Sequence, residues 1–86
     1  MKTLEHIRQE IIEQTTFSPI NLMVDKDILI LEEPYRQEEW EKNDDDCYDA
    51  ARENGEEIVE KFPELEMTEY LCHRHKYAVT YFELKG

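Results

Sequence analysis

The sequence is poor in the residues that many enzyme loops require. It has two glycines, one of them the terminal Gly86, and a single serine, Ser18, which precedes Pro19. A glycine-rich phosphate-binding loop and a serine triad are therefore excluded, because each needs those residues in a fixed arrangement. Cys47 with a distant histidine leaves a thiol nucleophile conceivable on composition alone. We expect a protein with no catalytic residues and no cofactor.

Cysteines and long apolar runs are also scarce. Two cysteines, Cys47 and Cys72, are too few for a disulfide framework. In a reducing compartment both are expected to be reduced and buried, with a Cys47–Cys72 bond as the less favoured alternative. No apolar run approaches the ~20 residues that a transmembrane helix needs. The N-terminal stretch MKTLEHIRQE lacks the apolar region of a signal peptide. The sequence predicts one cytoplasmic domain over residues 1–86.

The shortage of basic residues says most about which partners the protein could bind. The chain has 10 Lys and Arg against 22 Asp and Glu, which gives a net charge of −12. From Glu32 to Glu69 there are 16 acids and 4 bases, and the remaining residues carry 6 of each. The whole acidic excess therefore lies in the middle of the chain. Direct binding to nucleic acid or to an anionic membrane is disfavoured, because both require a basic surface.

The first half of the chain reads as a helix followed by a hairpin. Residues 3–14 place apolar side chains at helical spacing, with Thr3 as the N-cap. A turn at Asp25–Asp27 separates the apolar stretches 20–24 and 28–32, which predicts the two antiparallel strands of a hairpin. The second of these strands is apolar on both faces, as expected for a central strand covered on both sides or by a partner. The form of residues 35–42 stays open.

The second half begins with the main helix. Asn43 or Asp44 is its predicted N-cap, and Pro63 ends it. The Asn54–Gly55 pair is a predicted kink or break, because an interior glycine costs about 1 kcal/mol relative to alanine. One apolar stripe runs along this helix at the spacing that a buried face requires: Cys47, Ala51, Ile58 and Phe62.

A second hairpin follows, with its turn near His73–Lys76 and with Cys72 expected to pair with Tyr77. In that register one face carries Leu65, Met67, Leu71, Ala78, Phe82 and Leu84, and the other carries Tyr70, Cys72, Tyr77, Val79 and Tyr81. The order helix, hairpin, helix, hairpin (αββαββ) predicts an α+β domain. Its sheet would be four-stranded and largely antiparallel, with the helices packed on one face.

The main helix carries acids of one sign on one side. With Cys47 at 0° and about 100° per residue, seven acids fall between about 160° and 280°: Asp45, Asp46, Asp49, Glu53, Glu56, Glu57 and Glu60. Arg52 and Lys61 lie just outside this arc. An ordinary solvated helix face mixes both signs. The arc is therefore the predicted partner-binding surface, and a purely solvating role is the alternative.

Aromatic residues give a second candidate interface: Tyr70, Tyr77, Tyr81 and Trp40. Tyrosine and tryptophan are common anchors in protein interfaces, although cross-strand aromatic residues also simply stabilise sheets. Metal sites are poorly supported. The stretch DDDCYD has Asp49 where a calcium loop needs glycine, and Gly55 where it needs glutamate. His73 and His75 could start a zinc site, which only His6, Cys47 or Cys72 could complete. We therefore expect no metal.

These features predict a non-catalytic acidic protein that binds the basic, nucleic-acid-binding surface of a partner protein. Helical acids at i and i+4 are about 6 Å apart, a spacing comparable to that of successive phosphates, so the arc could mimic nucleic acid. Small acidic proteins of phages and mobile elements that inhibit host nucleases or CRISPR effectors often work in this way, and the analogy is one of class without a shared motif. The alternative is a homodimerising domain or complex subunit that uses the apolar and tyrosine sheet face. A small enzyme is the third possibility.

Overall fold

The computed structural model describes residues 3–34, 46–74 and 76–85, with the backbone alone for residues 46 and 47. Its elements, in chain order, are α1 (Leu4–Gln14), a 3₁₀ helix (Pro19–Asn21), β1 (Leu22–Asp25), β2 (Ile28–Pro34), α2 (Asp46–Lys61), β3 (Leu65–His73) and β4 (Tyr77–Leu84). The predicted form of residues 35–42, the candidate caps Asn43 and Asp44, and Trp40 all lie outside the described residues.

The sheet is antiparallel throughout, with strand order β1-β2-β4-β3. The predicted α+β class with a four-stranded antiparallel sheet is confirmed, and β2 is a central strand. The 3₁₀ helix between α1 and β1 was not expected from the sequence. None of the described helices is long and apolar enough to cross a membrane.

Helix α1 begins at the predicted cap. The hydroxyl of Thr3 accepts a hydrogen bond from the amide of His6 at 3.2 Å, which satisfies one of the unpaired amides of the first turn. Ile7 and Ile11 are fully buried against the sheet. Arg8 ties the helix to the following chain, because its guanidinium donates to the carbonyls of Leu22 at 2.8 Å and Pro19 at 2.9 Å.

Both described α-helices pack on the same face of the sheet. One apolar cluster contains residues of α1, of the C-terminal half of α2 and of the strands: Leu4, Ile7, Ile11, Leu22, Leu29, Leu31, Ile58, Phe62, Leu65 and Phe82. Burying a side chain of this size contributes roughly 1.5–3 kcal/mol. We call the sheet face that carries this cluster the inner face, and the opposite one the outer face.

A β-bulge in β3 changes the predicted register. Pairing shifts between Met67 and Glu69, and beyond this point Cys72 pairs with Ala78 and not with Tyr77. The extra residue reverses the alternation of the strand. Tyr70, which pairs with the buried Thr80, and Cys72 therefore lie on the inner face, whereas Leu71 pairs with Val79 on the outer face. The predicted faces are thus correct for β4 and for the start of β3, and wrong for the end of β3.

Helix α2 is continuous through Gly55, so the predicted kink or break is wrong. Gly55 is buried. A Cβ atom built at Gly55 would overlap Met67 Sδ and come within 2.9 Å of Thr80 Cγ2, which marks this position as the close approach of helix and sheet. The buried Thr80 hydroxyl donates to the carbonyl of Ala51 at 2.8 Å, one turn before Gly55. Glycine is favoured here because even a Cβ atom fits only if its neighbours move.

The expectation of reduced cysteines is wrong for Cys72, which is disulfide-bonded. The only other cysteine in the sequence is Cys47, whose side chain lies outside the described part of the structure. Disulfides are rare in reducing compartments. A cytoplasmic location therefore stays a prediction, and the disulfide bond of Cys72 is an observation against it.

Candidate partner-binding surfaces

The acidic side of α2 lies opposite its packed stripe. Ala51, Gly55 and Ile58 are buried and centre near 45° on the helical wheel, about 180° from the middle of the acidic arc. Four of the acids are exposed and one is half-buried: Glu53, Glu56, Glu57, Glu60 and Asp49. Asp49 and Glu60 are eleven positions apart, which corresponds to about 16 Å along the axis. We call these five residues the acidic arc. The predicted members Asp45 and Asp46 cannot be placed, since the described side chains of α2 begin after them.

Arg52 neutralises part of the acidic arc. Its guanidinium lies 3.4 Å from an oxygen of Asp49 and 3.9 Å from an oxygen of Glu56. All three side chains are about half exposed, so each pair adds little stability. The five acids with this one base still leave a net charge of −4. The helical wheel places Arg52 outside the arc, but its long side chain reaches back to two of the acids.

The remaining neighbours within the arc are of like charge. Glu53 has Asp49 and Glu57 at four positions on either side, and Glu60 has Glu56 at four positions. Such i, i+4 pairs destabilise an isolated helix by about 0.2–0.5 kcal/mol each. Repulsion between these carboxylates opposes formation of the helix, and the packing of α2 on the sheet compensates for it. The result is an extended negative surface that attracts cationic groups.

The candidate aromatic residues do not form one surface. Tyr77 and Tyr81 lie on the outer face with Val79, as predicted for β4. Tyr70 belongs to the inner face, at the edge strand β3, and remains 40% exposed there. Trp40 lies outside the described residues. The bulge that separates Tyr70 from the other two tyrosines has no clear signal in the sequence TEYLCH.

Other sites are weakly supported within residues 3–34, 46–74 and 76–85. No group of three or more His, Cys, Asp or Glu in these ranges is arranged to hold a metal ion. His73 is exposed at the end of β3, and His75 lies outside the described residues. An open groove of about 530 Å³ lies between the start of α1 and the β1–β2 turn, lined by Thr3, Leu4, Glu5, Val24, Lys26, Asp27, Glu83 and Leu84.

Comparison of the chain with protein-family models, with curated proteins and with solved structures gives no significant match.

Proposed function

We propose that this protein is a non-catalytic binding protein whose acidic arc on α2 engages the basic surface of a partner protein. The observation that carries the proposal is the charge of the arc, where five acids share one side of a helix with a single arginine. Solvation alone does not require acids of one sign to be adjacent, since mixed charges solvate a helix equally well. A basic partner surface would stabilise the arrangement that intrahelical repulsion opposes.

The partner class that best suits the acidic arc is a nucleic-acid-binding protein. Carboxylates at successive i, i+4 positions recur at about 6 Å along a rigid helix. A groove that binds phosphates has Lys and Arg side chains placed for negative charge at intervals of this order. A helix that presents carboxylates would compete with nucleic acid for such a groove. An inhibitor of a nuclease or CRISPR effector from a phage or mobile element is the specific form of this proposal.

Two matched charge variants test it. Glu53→Lys with Glu60→Lys reverses two exposed acids at the centre of the arc, while Glu5→Lys with Glu13→Lys reverses two exposed acids of α1. Both variants change the net charge by the same amount. Each immobilised protein is used to capture proteins from a cell lysate, and elution with increasing salt and with duplex DNA is then compared.

We expect wild type and the α1 variant to retain a nucleic-acid-binding protein that salt or DNA releases, and the arc variant to lose it. Equal loss by both variants would show that only net charge matters. Retention by a folded arc variant, checked by circular dichroism and urea unfolding, would reject the acidic arc as the binding surface.

A further inference from the structure

The outer face of the sheet carries an apolar centre with acids around it. Because paired residues in an antiparallel sheet point to the same side, the register places Met23, Ile30 and Tyr81 in one row across β1, β2 and β4. Ile28 lies in the next row. Met23 is 41% and Ile28 36% exposed, and Ile20 of the adjacent 3₁₀ helix is 85% exposed. Ile30 and Tyr81 are half-buried and Val79 on the same face is buried, so the exposed apolar side chains of this face lie mainly toward β1. Both described α-helices pack on the inner face.

The charged residues at the outward positions of the four described strands are all acidic: Asp25, Glu32, Glu66, Glu69 and Glu83. The row of Met23, Ile30 and Tyr81 ends at Glu69 on β3. In the neighbouring row, Ile28 lies between Asp25 on β1 and the pair of Glu83 on β4 and Glu66 on β3. Glu66 and Glu83 are direct cross-strand partners, an arrangement that destabilises a sheet in isolation. A second copy of the chain would bring the same acids onto these acids. Charge complementarity therefore selects a different, basic partner.

We propose that this outer-face patch is a second docking surface, which takes an amphipathic basic helix of a partner protein. Three neighbouring strands span about 10 Å. Apolar anchors at positions i and i+7 of a helix are about 10.5 Å apart. A helix laid across β1, β2 and β4 would place its apolar stripe on Met23, Ile30 and Tyr81. Lys and Arg beside the stripe would reach the acids at the ends of the rows, as in helix-in-groove recognition. The surface is separate from the acidic arc, which faces away from the sheet on the other side of the molecule.

The probe is a synthetic peptide of about 18 residues, long enough to form a helix, with leucines at helical spacing and lysines elsewhere. A second peptide of the same composition, with its leucines permuted so that no stripe forms, is the control. Both are titrated into the whole protein at physiological ionic strength, with affinity measured by calorimetry and the site mapped by amide chemical shifts. We expect shifts on β1, β2 and β4, and an affinity at least about tenfold higher for the amphipathic peptide.

Three variants make the test specific. Met23→Thr with Ile28→Thr keeps residues that favour strands and removes two exposed apolar side chains of the patch, so affinity should fall by about tenfold or more. Glu66→Lys with Glu83→Lys exchanges one like-charge pair for another, which leaves the strand pairing comparable and removes the acidic rim, so affinity should fall again. Glu53→Lys with Glu60→Lys should bind as wild type does.

The inference is overturned if both peptides bind equally, or if the chemical shifts map to α2. It is equally overturned if light scattering shows a stable dimer whose interface is this patch. Failure here leaves the acidic arc untouched, because its own variants report on it separately.

Discussion

Replacing Gly55 by alanine probes the close approach of α2 to the sheet. The new Cβ would overlap Met67 Sδ and lie 2.9 Å from Thr80 Cγ2. Met67 is half-buried, and its thioether can rotate away from the new methyl group. Thr80 cannot yield in the same way, because it is fully buried, β-branched and bonded through its hydroxyl to the carbonyl of Ala51.

Two effects of opposite sign determine how Gly55→Ala changes the free energy of unfolding relative to wild type. Greater helix propensity would stabilise the variant by about 1 kcal/mol. Forcing extra atoms into a packed core destabilises by about 1–3 kcal/mol. Because the site is buried and one of its two close neighbours is held in place, we expect a net loss of about 1 kcal/mol. In a domain of this size that loss lowers the Tm by about 4–8 °C.

The assay is urea unfolding of wild type, Gly55→Ala, Thr80→Ser and the double variant. Thr80→Ser keeps the hydroxyl that donates to Ala51 and removes the methyl group that opposes the new Cβ. The double variant should therefore be more stable than the two single effects predict, by at least about 0.5 kcal/mol. A Gly55→Ala protein that gains the full helix-propensity term, or a coupling energy of zero, would refute the close-approach argument.

Three further predictions concern charge, capping and the disulfide. The Tm should rise between low salt and about 0.5 M NaCl, because salt screens the repulsion between like charges. Glu53→Lys with Glu60→Lys should raise the Tm at low salt. A Tm that does not change with salt in differential scanning calorimetry would contradict this. Thr3→Ala should cost about 1 kcal/mol in urea unfolding, whereas Thr3→Ser should cost much less because the cap is kept. Since Cys47 is the only partner that the sequence offers Cys72 within one chain, non-reducing peptide mapping should recover them joined. Reduction should then lower stability by roughly 3.5 kcal/mol for a loop of this length, and intact reduced thiols after purification without reductant would count against the bond.

Local patterns in the sequence predict most of the elements. Helix α1 with its cap at Thr3, both hairpins and the acidic side of α2 follow from apolar spacing and turn residues, which act over a few positions. The helical wheel is sufficient for the arc because α2 is regular from Asp46 to Lys61. Two hairpins with apolar faces are likewise enough to predict an antiparallel sheet.

Most of the features that the sequence does not predict depend on contacts between elements. Gly55 reads as a weak point in a helix considered alone, and only the position of Thr80 shows why glycine is needed. At the bulge before Glu69, the hydroxyl of Thr68 donates to the carbonyl of Tyr81 on the neighbouring strand at 3.3 Å, a contact that the local sequence does not reveal. Arg52 appears outside the acidic arc on a wheel, because a wheel places Cα atoms and ignores the length of the side chain.

The bulge in β3 also affects how the protein behaves toward other copies of itself when crowded. At nine residues, β3 is a long edge strand, and a flat edge of that length is a template for cross-β association. The extra residue twists the edge out of register, and the exposed Glu66 and Glu69 flank the irregularity. An incoming strand would meet an uneven row of backbone groups and two carboxylates. Removing Thr68 would give the strand regular alternation and, by the same change, an edge open to aggregation.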